Sequence, residues 1–205
     1  MDTATDTRQR LVDTARNLIA ASSYHAVGVQ EICGRAGVHK GSFYHYFTTK
    51  HELALAAVDD MAGYFSRSIF DYAFSTDIAP LARIERFFTA VYNYHQQVKD
   101  TTGHVQGCPF GNLAGELGSV DAEMRDKIDS LFRLAEAAID QALQDAIKQG
   151  DLPSMDTNAA ARAIFAYTEG LILYAKTRND ATLIRDLGKR AIQLAIEAGQ
   201  PGDTP

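Results

Sequence analysis

Between Glu31 and Glu52 the chain carries no carboxylate, yet that run holds Lys40, His45, Lys50 and His51 interleaved with Phe43, Tyr44, Tyr46 and Phe47. Cations and hydroxyl-bearing rings are the groups that neutralise and hydrogen-bond phosphate. Lys40 and Lys50 bracket a short helical stretch as cations for a nucleic-acid backbone. Ser42, Tyr44, His45 and Tyr46 supply hydrogen-bond donors, and His45 or Ser42 is placed to reach a base. Gly41 has no side chain to hold a ligand away. Positions 43 and 47 share one helical face, so Phe43 and Phe47 are expected to fill a core while Tyr44 and His45 point elsewhere. The plain alternative is a solvated basic-aromatic helix packed on its neighbours.

The elements that must carry these residues are helical. Helical periodicity dominates and no alternating strand pattern occurs, which predicts an all-α fold of about nine helices. Leu11, Ala15, Leu18 and Ile19 mark the apolar side of a first helix over about 7–22. A second spans 29–36, with Gly28 as a permissive N-cap and Gly37 as the left-handed residue that ends it. A third covers about 40–47. Three short helices with glycine in the second connection predict a helix-turn-helix module. A longer helix, capped by Thr48 or Thr49, runs to about Phe74, and the next from Pro80 to about Val98. The stretch 99–107 reads as a loop. A short helix starts at Pro109, where the missing N–H costs nothing. Another, opened by Ser119 or Asp121, reaches Gly150, and two more cover about 157–177 and 181–198.

The net charge of −6 argues against a chain that coats nucleic acid, but the charge is unevenly spread. Six Lys/Arg face five Asp/Glu before residue 56, and 14 face 21 after it, so a local basic patch stands against an acidic remainder. No apolar run approaches the roughly 18 residues of a bilayer span, and the N-terminus lacks a signal-peptide core, so a cytoplasmic protein is expected. Cys33 and Cys108 cannot form a disulfide framework or a Cys-rich zinc site, and His95, His104 and Cys108 match no compact zinc spacing. No metal, no cofactor and no catalytic residue is expected. An enzyme with Cys108 as nucleophile and His104 or His95 as base lacks a local signature. A helical adaptor without DNA binding is the other alternative.

The run "VQEICGRAGVHKGSFYHYFTTKHELALAAV" closely resembles the DNA-binding domain of the TetR family of transcriptional regulators, and the likeness covers about residues 7–60. The resemblance implies a DNA-binding domain over 1–50 and an effector-binding and dimerisation domain over 51–205. It implies a homodimer on a palindromic operator, released when a small-molecule effector or electrophile acts on the second domain. It maps DNA contacts to Gln30, His39, Lys40, Gly41, Ser42, Tyr44, His45, Tyr46 and Lys50. Two departures stand out: Gly28 and His39 occupy positions where family members often carry Thr or Ser.

Ten of the 19 aromatic residues fall between Tyr64 and Phe110, a density that predicts an aromatic-lined site between helices. Phe65, Phe88, Tyr92, His95 and Phe110 are its candidate residues, with Cys108. Just before Pro109, Cys108 is the expected N-cap, where the positive end of the helix dipole favours thiolate. The segment also looks like the equivalent part of TetR-type repressors that sense electrophiles or oxidants. A buried, inert thiol is the alternative for Cys108, and core packing is the reading for Cys33. In the last two helices Ile164, Phe165, Leu171, Ile172, Tyr174, Leu183, Leu187, Ala191 and Leu194 form apolar stripes. Two such helices from each subunit would build a four-helix dimer interface, which the family resemblance favours; the alternative is that the stripes close the monomer's own core. The expected function is a ligand- or redox-responsive repressor.

Overall fold

In the computed structural model, which describes residues 4–199, the chain is helical, with no strand among the described residues. The helices are α1 (Ala4–Ala21), α2 (Val29–Ala36), α3 (Lys40–Tyr46), α4 (Lys50–Phe65), α5 (Asp71–Ala73), α6 (Pro80–Thr102), α7 (Pro109–Leu117), α8 (Ala122–Gln149), α9 (Thr157–Arg178), α10 (Thr182–Gly188) and α11 (Ala191–Gly199). A π-helical turn, Ser66–Phe70, separates α4 from α5. The all-α expectation holds, and two of the expected helices are subdivided. The chain divides into two compact units: one takes the residues up to Phe65 together with Pro109–Lys127, the other Ser66–Cys108 and everything from Ile128. No helix among the described residues is long and apolar enough to cross a membrane.

The first unit grows from the stripe on α1. Leu11, Ala15, Leu18 and Ile19 recur at helical spacing and are buried, as are Leu53, Ala57, Val58 and Met61 of α4, the helix that α1 packs against. Gln9 and Arg16 reach across to Asp60 along the same seam. The α2 helix ends at Gly37, whose φ of 64° is left-handed, and the Val38 amide bonds back to Cys33 O at 2.9 Å. At the start of α4 the cap is reciprocal. Thr49 Oγ accepts from the Glu52 amide at 3.0 Å, while the Glu52 carboxylate accepts from Thr48 N–H and Oγ–H, both at 2.8 Å. Those bonds hold the Glu52 carboxyl below the usual carboxylate range.

In the second unit, Phe87, Phe88, Ile139, Leu143, Ile164 and Ile184 are buried. Pro80 opens α6, and Asp156 caps α9 by accepting from the Ala159 amide at 2.9 Å. Arg83 is buried and bonds Asp145 at 2.9 Å, a pairing that holds the Asp145 carboxyl low. Three sequence expectations need correction here. The helix expected to run unbroken to Phe74 gives way at the π-helical turn, which inserts a residue into the helical register and leads into the Phe70, Phe74 and Phe87 ring cluster. The supposed loop 99–107 is helical as far as Thr102: Thr101 and Thr102 hydroxyls donate back to Gln97 and Val98 carbonyls, and Gly103, at φ 83°, closes the helix. The remainder of that stretch is pinned, because the Asn179 side chain accepts from Val105 N–H at 2.9 Å and donates to Gly103 O at 3.1 Å. Finally, the last helix breaks between α10 and α11, where Gly188 lies so close to the Phe88 ring that an added Cβ would sit 2.5 Å from it.

Candidate nucleic-acid interface and effector residues

Two phenylalanines hold α3 in place. Phe43 and Phe47 are 0% and 2% exposed, with ring centroids 6.1 Å apart. Everything else on this short helix is turned outward. Lys40, Gly41, Ser42, Tyr44 and His45 are exposed, Tyr46 is half-exposed, and His39 and Gln30 lie exposed beside them. The side-chain polar atoms of Gln30, His39, Lys40, Ser42, Tyr44, His45 and Tyr46 make no hydrogen bond or ion pair among the described residues. By contrast the neighbouring Arg35 is satisfied on its own helix by Glu31 at 3.0 Å. A face of donors and one unneutralised ammonium is what phosphate and base edges require.

Gly41 sharpens that reading. It lies within a helix, where glycine costs about 0.5–1 kcal/mol relative to alanine. Its φ is not left-handed, and a Cβ there would meet nothing within 4 Å. Neither backbone strain nor packing inside the chain calls for a glycine at this position. Gly28 and His39, the N-caps of α2 and α3, give no side-chain cap.

Lys50 has a task within the protein that the sequence did not show. Its Nζ donates to Tyr24 O and Val27 O, both at 3.0 Å, and lies 4.1 Å from the centroid of the Tyr24 ring. The ammonium ties the start of α4 to the α1–α2 turn and keeps one N–H for an outside acceptor. Three further groups, none assigned a contact from the sequence, converge nearby. Glu116 of α7 accepts from the Tyr24 and His25 amides. His51 Nε2 is 2.7 Å from Asp121 Oδ2, an ion-pair distance without an aligned hydrogen bond. Asp121 Oδ1 also caps α8 by accepting from the Met124 amide at 2.9 Å. Nothing in the sequence pattern separates Glu116 from a solvated helix carboxylate; only the tertiary placement of α7 does.

The candidate effector residues fall into two groups. Phe65 and Phe110, both in the first unit, meet edge to face at 5.4 Å. Phe88, Tyr92 and His95, in the second, recur along one face of α6. Phe88 lies on Gly188, and Tyr92 lies beneath the Arg185 guanidinium at 4.9 Å. His95 is 2% exposed, its Nδ1 has no partner, and burial pushes its imidazole down to about 4, so it is neutral. Cys108 is half-buried and hydrogen-bonded to Glu169 of α9. Burial lifts the Glu169 carboxyl, and the bond to Cys108 offsets part of that rise. Cys33 is buried, as expected, and burial raises its thiol. Among the described residues no three His, Cys, Asp or Glu side chains are grouped to hold a metal.

A short helix anchored by two buried phenylalanines, following a glycine-closed turn and presenting unpartnered donors, defines a helix-turn-helix DNA-binding protein. The comparisons agree. The family model for bacterial regulatory proteins of the tetR family matches residues 11–57, and that for the tetracyclin repressor-like C-terminal domain matches residues 80–199. The chain is 34% identical over 170 residues to the transcriptional regulator AcuR of Cereibacter sphaeroides, covering 82% of this chain and 75% of that one. It is 27% identical over 140 residues to the transcriptional repressor NemR of Escherichia coli, covering 68% of each. The crystal structure of a TetR regulatory protein from Rhodobacter sphaeroides superposes with a TM-score of 0.79 at 30% identity, over 91% of this chain and 97% of that one. The chain belongs to the TetR family and is a DNA-binding transcriptional regulator.

Proposed function

We propose that this regulator is a repressor that binds a palindromic operator as a homodimer and lets go when a small molecule or a thiol-modifying reagent acts on its second domain. Residues 1–50 supply the DNA contacts, through Gln30, His39, Lys40, Gly41, Ser42, Tyr44, His45, Tyr46 and the remaining N–H of Lys50. Residues 51–205 supply the effector site and the dimer. The observation that carries the DNA reading is the outward face of α3, with its unpartnered donors and the unexplained Gly41.

For the release step, the supporting feature is the Cys108–Glu169 pair. When the thiol attacks an electrophile its proton needs an acceptor. A carboxyl raised by burial is better matched to a thiol than an ordinary carboxylate is. The likeness to NemR, a repressor, fits a regulator that leaves its DNA on a signal.

The test is to let the protein select duplexes from a random pool and then to treat the complex with N-ethylmaleimide. A selected palindrome, bound less tightly as salt rises, is expected. Wild type is expected to release it on treatment, and Cys108→Ser to hold it. Release from both proteins, or from neither, would move induction from Cys108 to a reversible ligand at the aromatic residues.

A further inference from the structure

Glu116 lies outside the helix-turn-helix, near the end of α7, yet it grips the α1–α2 turn by its backbone. Oε2 accepts from the Tyr24 N–H at 2.9 Å and Oε1 from the His25 N–H at 2.7 Å. Two consecutive amides aimed at one carboxylate fix both the position and the plane of the turn, since charge-assisted bonds of this length tolerate little displacement. The other side of the same turn is held by Lys50, through Tyr24 O and Val27 O. Tyr24 is therefore held at its N–H from α7 and at its C=O from α4. Beyond α7, His51 and Asp121 approach to 2.7 Å, and Lys127 bonds Asp59 at 2.6 Å, so the α7–α8 junction is tied to α4 twice more within the same compact unit.

The turn leads directly into Gly28, the N-cap of α2, which has no side chain to fix the entry angle locally. Gln30 follows in the first turn of α2, and α3 packs on α2. Beside the packing of α2 on α1 through Ile32, Cys33 and Ala36, the turn is what fixes the entry of α2, and with it the placing of α3.

We propose that Glu116 is a positioning residue for operator binding: it touches no DNA and orients the helix-turn-helix by holding the Tyr24 and His25 amides. The inference rests on the operator reading above. It predicts a sign that simple electrostatics reverses. Removing a carboxylate from a DNA-binding unit lessens repulsion and should favour any duplex, whereas loss of positioning should weaken the specific complex alone.

Binding is measured on a duplex selected by the wild type and on an unrelated duplex of equal length. Glu116→Ala is expected to lose roughly tenfold on the selected duplex, the scale of one charge-assisted tie. Glu116→Gln, which keeps one acceptor oxygen, should lose less but measurably. Affinity for the unrelated duplex should hold or rise, and amide exchange at Tyr24 and His25 should quicken, while the variant keeps a wild-type helical spectrum under the conditions of the binding assay. Undiminished affinity of Glu116→Ala for the selected duplex overturns the assignment, as does an equal loss on both duplexes. If the alanine variant does not fold, Glu116→Gln decides: wild-type affinity in that variant sinks the proposal. A wild type that selects no duplex brings down the operator reading itself, and that control separates the two failures.

Discussion

Lys40 and Lys50 carry the same charge, and both were legible as cations in a stretch free of carboxylates. Only the structure shows that Lys40 is exposed without an ion pair among the described residues, while Lys50 is bound to two carbonyls and a ring. Replacing Lys40 by alanine should weaken binding on every duplex and flatten the salt slope by about 0.9, one phosphate's worth. Lys50→Ala should do more. It should also lower urea stability, by about 1 kcal/mol or more, because it frees the carbonyls of the α1–α2 turn. Salt titrations beside urea melts separate the two, and equal stabilities would remove the structural task of Lys50. His95 gives a pH prediction of known sign. Its folded value, near 4, lies below the ordinary 6.5, so the unfolded chain binds the proton more readily between those values. Stability from this group is therefore full at neutral pH and drains as pH falls through that window, by about 3 kcal/mol in total. His95→Gln should lack that loss in unfolding curves taken from pH 7 to 4; a parallel decline in both proteins would refute it.

Helix interiors were readable because one apolar stripe per helix leaves a strong period, as Leu11, Ala15, Leu18 and Ile19 do on α1. Helix ends were less readable, since the deciding bonds are made by groups far away in sequence. Asn179, remote from α6, pins the residues after Thr102. Phe88, remote in sequence, leaves no room for a side chain at Gly188, the last residue of α10. No periodicity announces the π-helical turn at Ser66–Phe70, because it is a single inserted residue. The α3 helix offers a test in which stability and function should move in opposite directions. Gly41→Ala adds a methyl group in open space and improves helix propensity, so the protein should gain up to about 1 kcal/mol. If the missing Cβ makes room for DNA, affinity for the selected duplex should fall even as the melting temperature rises. A variant that is stabilised and binds as well as wild type would show that Gly41 is an accident of this helix.

Dimerisation belongs to the chain as a whole, and there the apolar stripes of the last helices were ambiguous in sequence, since a monomer's core and an interface use the same residue types. Burial sorts them. Ile164, Phe165, Leu171, Ile172 and Ala191 are spent inside the monomer, whereas Leu173, Tyr174, Leu187 and Leu194 are exposed. Leu173 is 63% exposed on α9, and Leu194 is 40% exposed on α11, the helix packed along α9. A second copy placing the same helices here would cover these side chains with an identical surface, as twofold symmetry requires. Leu173, rather than Leu171, is then the position that reports on association. Leu173→Asp places a charge where the monomer is open to water, so its fold should be untouched. In a dimer the same charge would be buried unpaired, at a cost of several kcal/mol. Light scattering should show monomers at micromolar concentration, with an unchanged helical spectrum and a loss of affinity for a palindrome far greater than for one half-site. Leu171→Asp should instead unfold the chain, because that side chain is only 5% exposed. A Leu173→Asp protein that stays dimeric would move the interface off this face of α9.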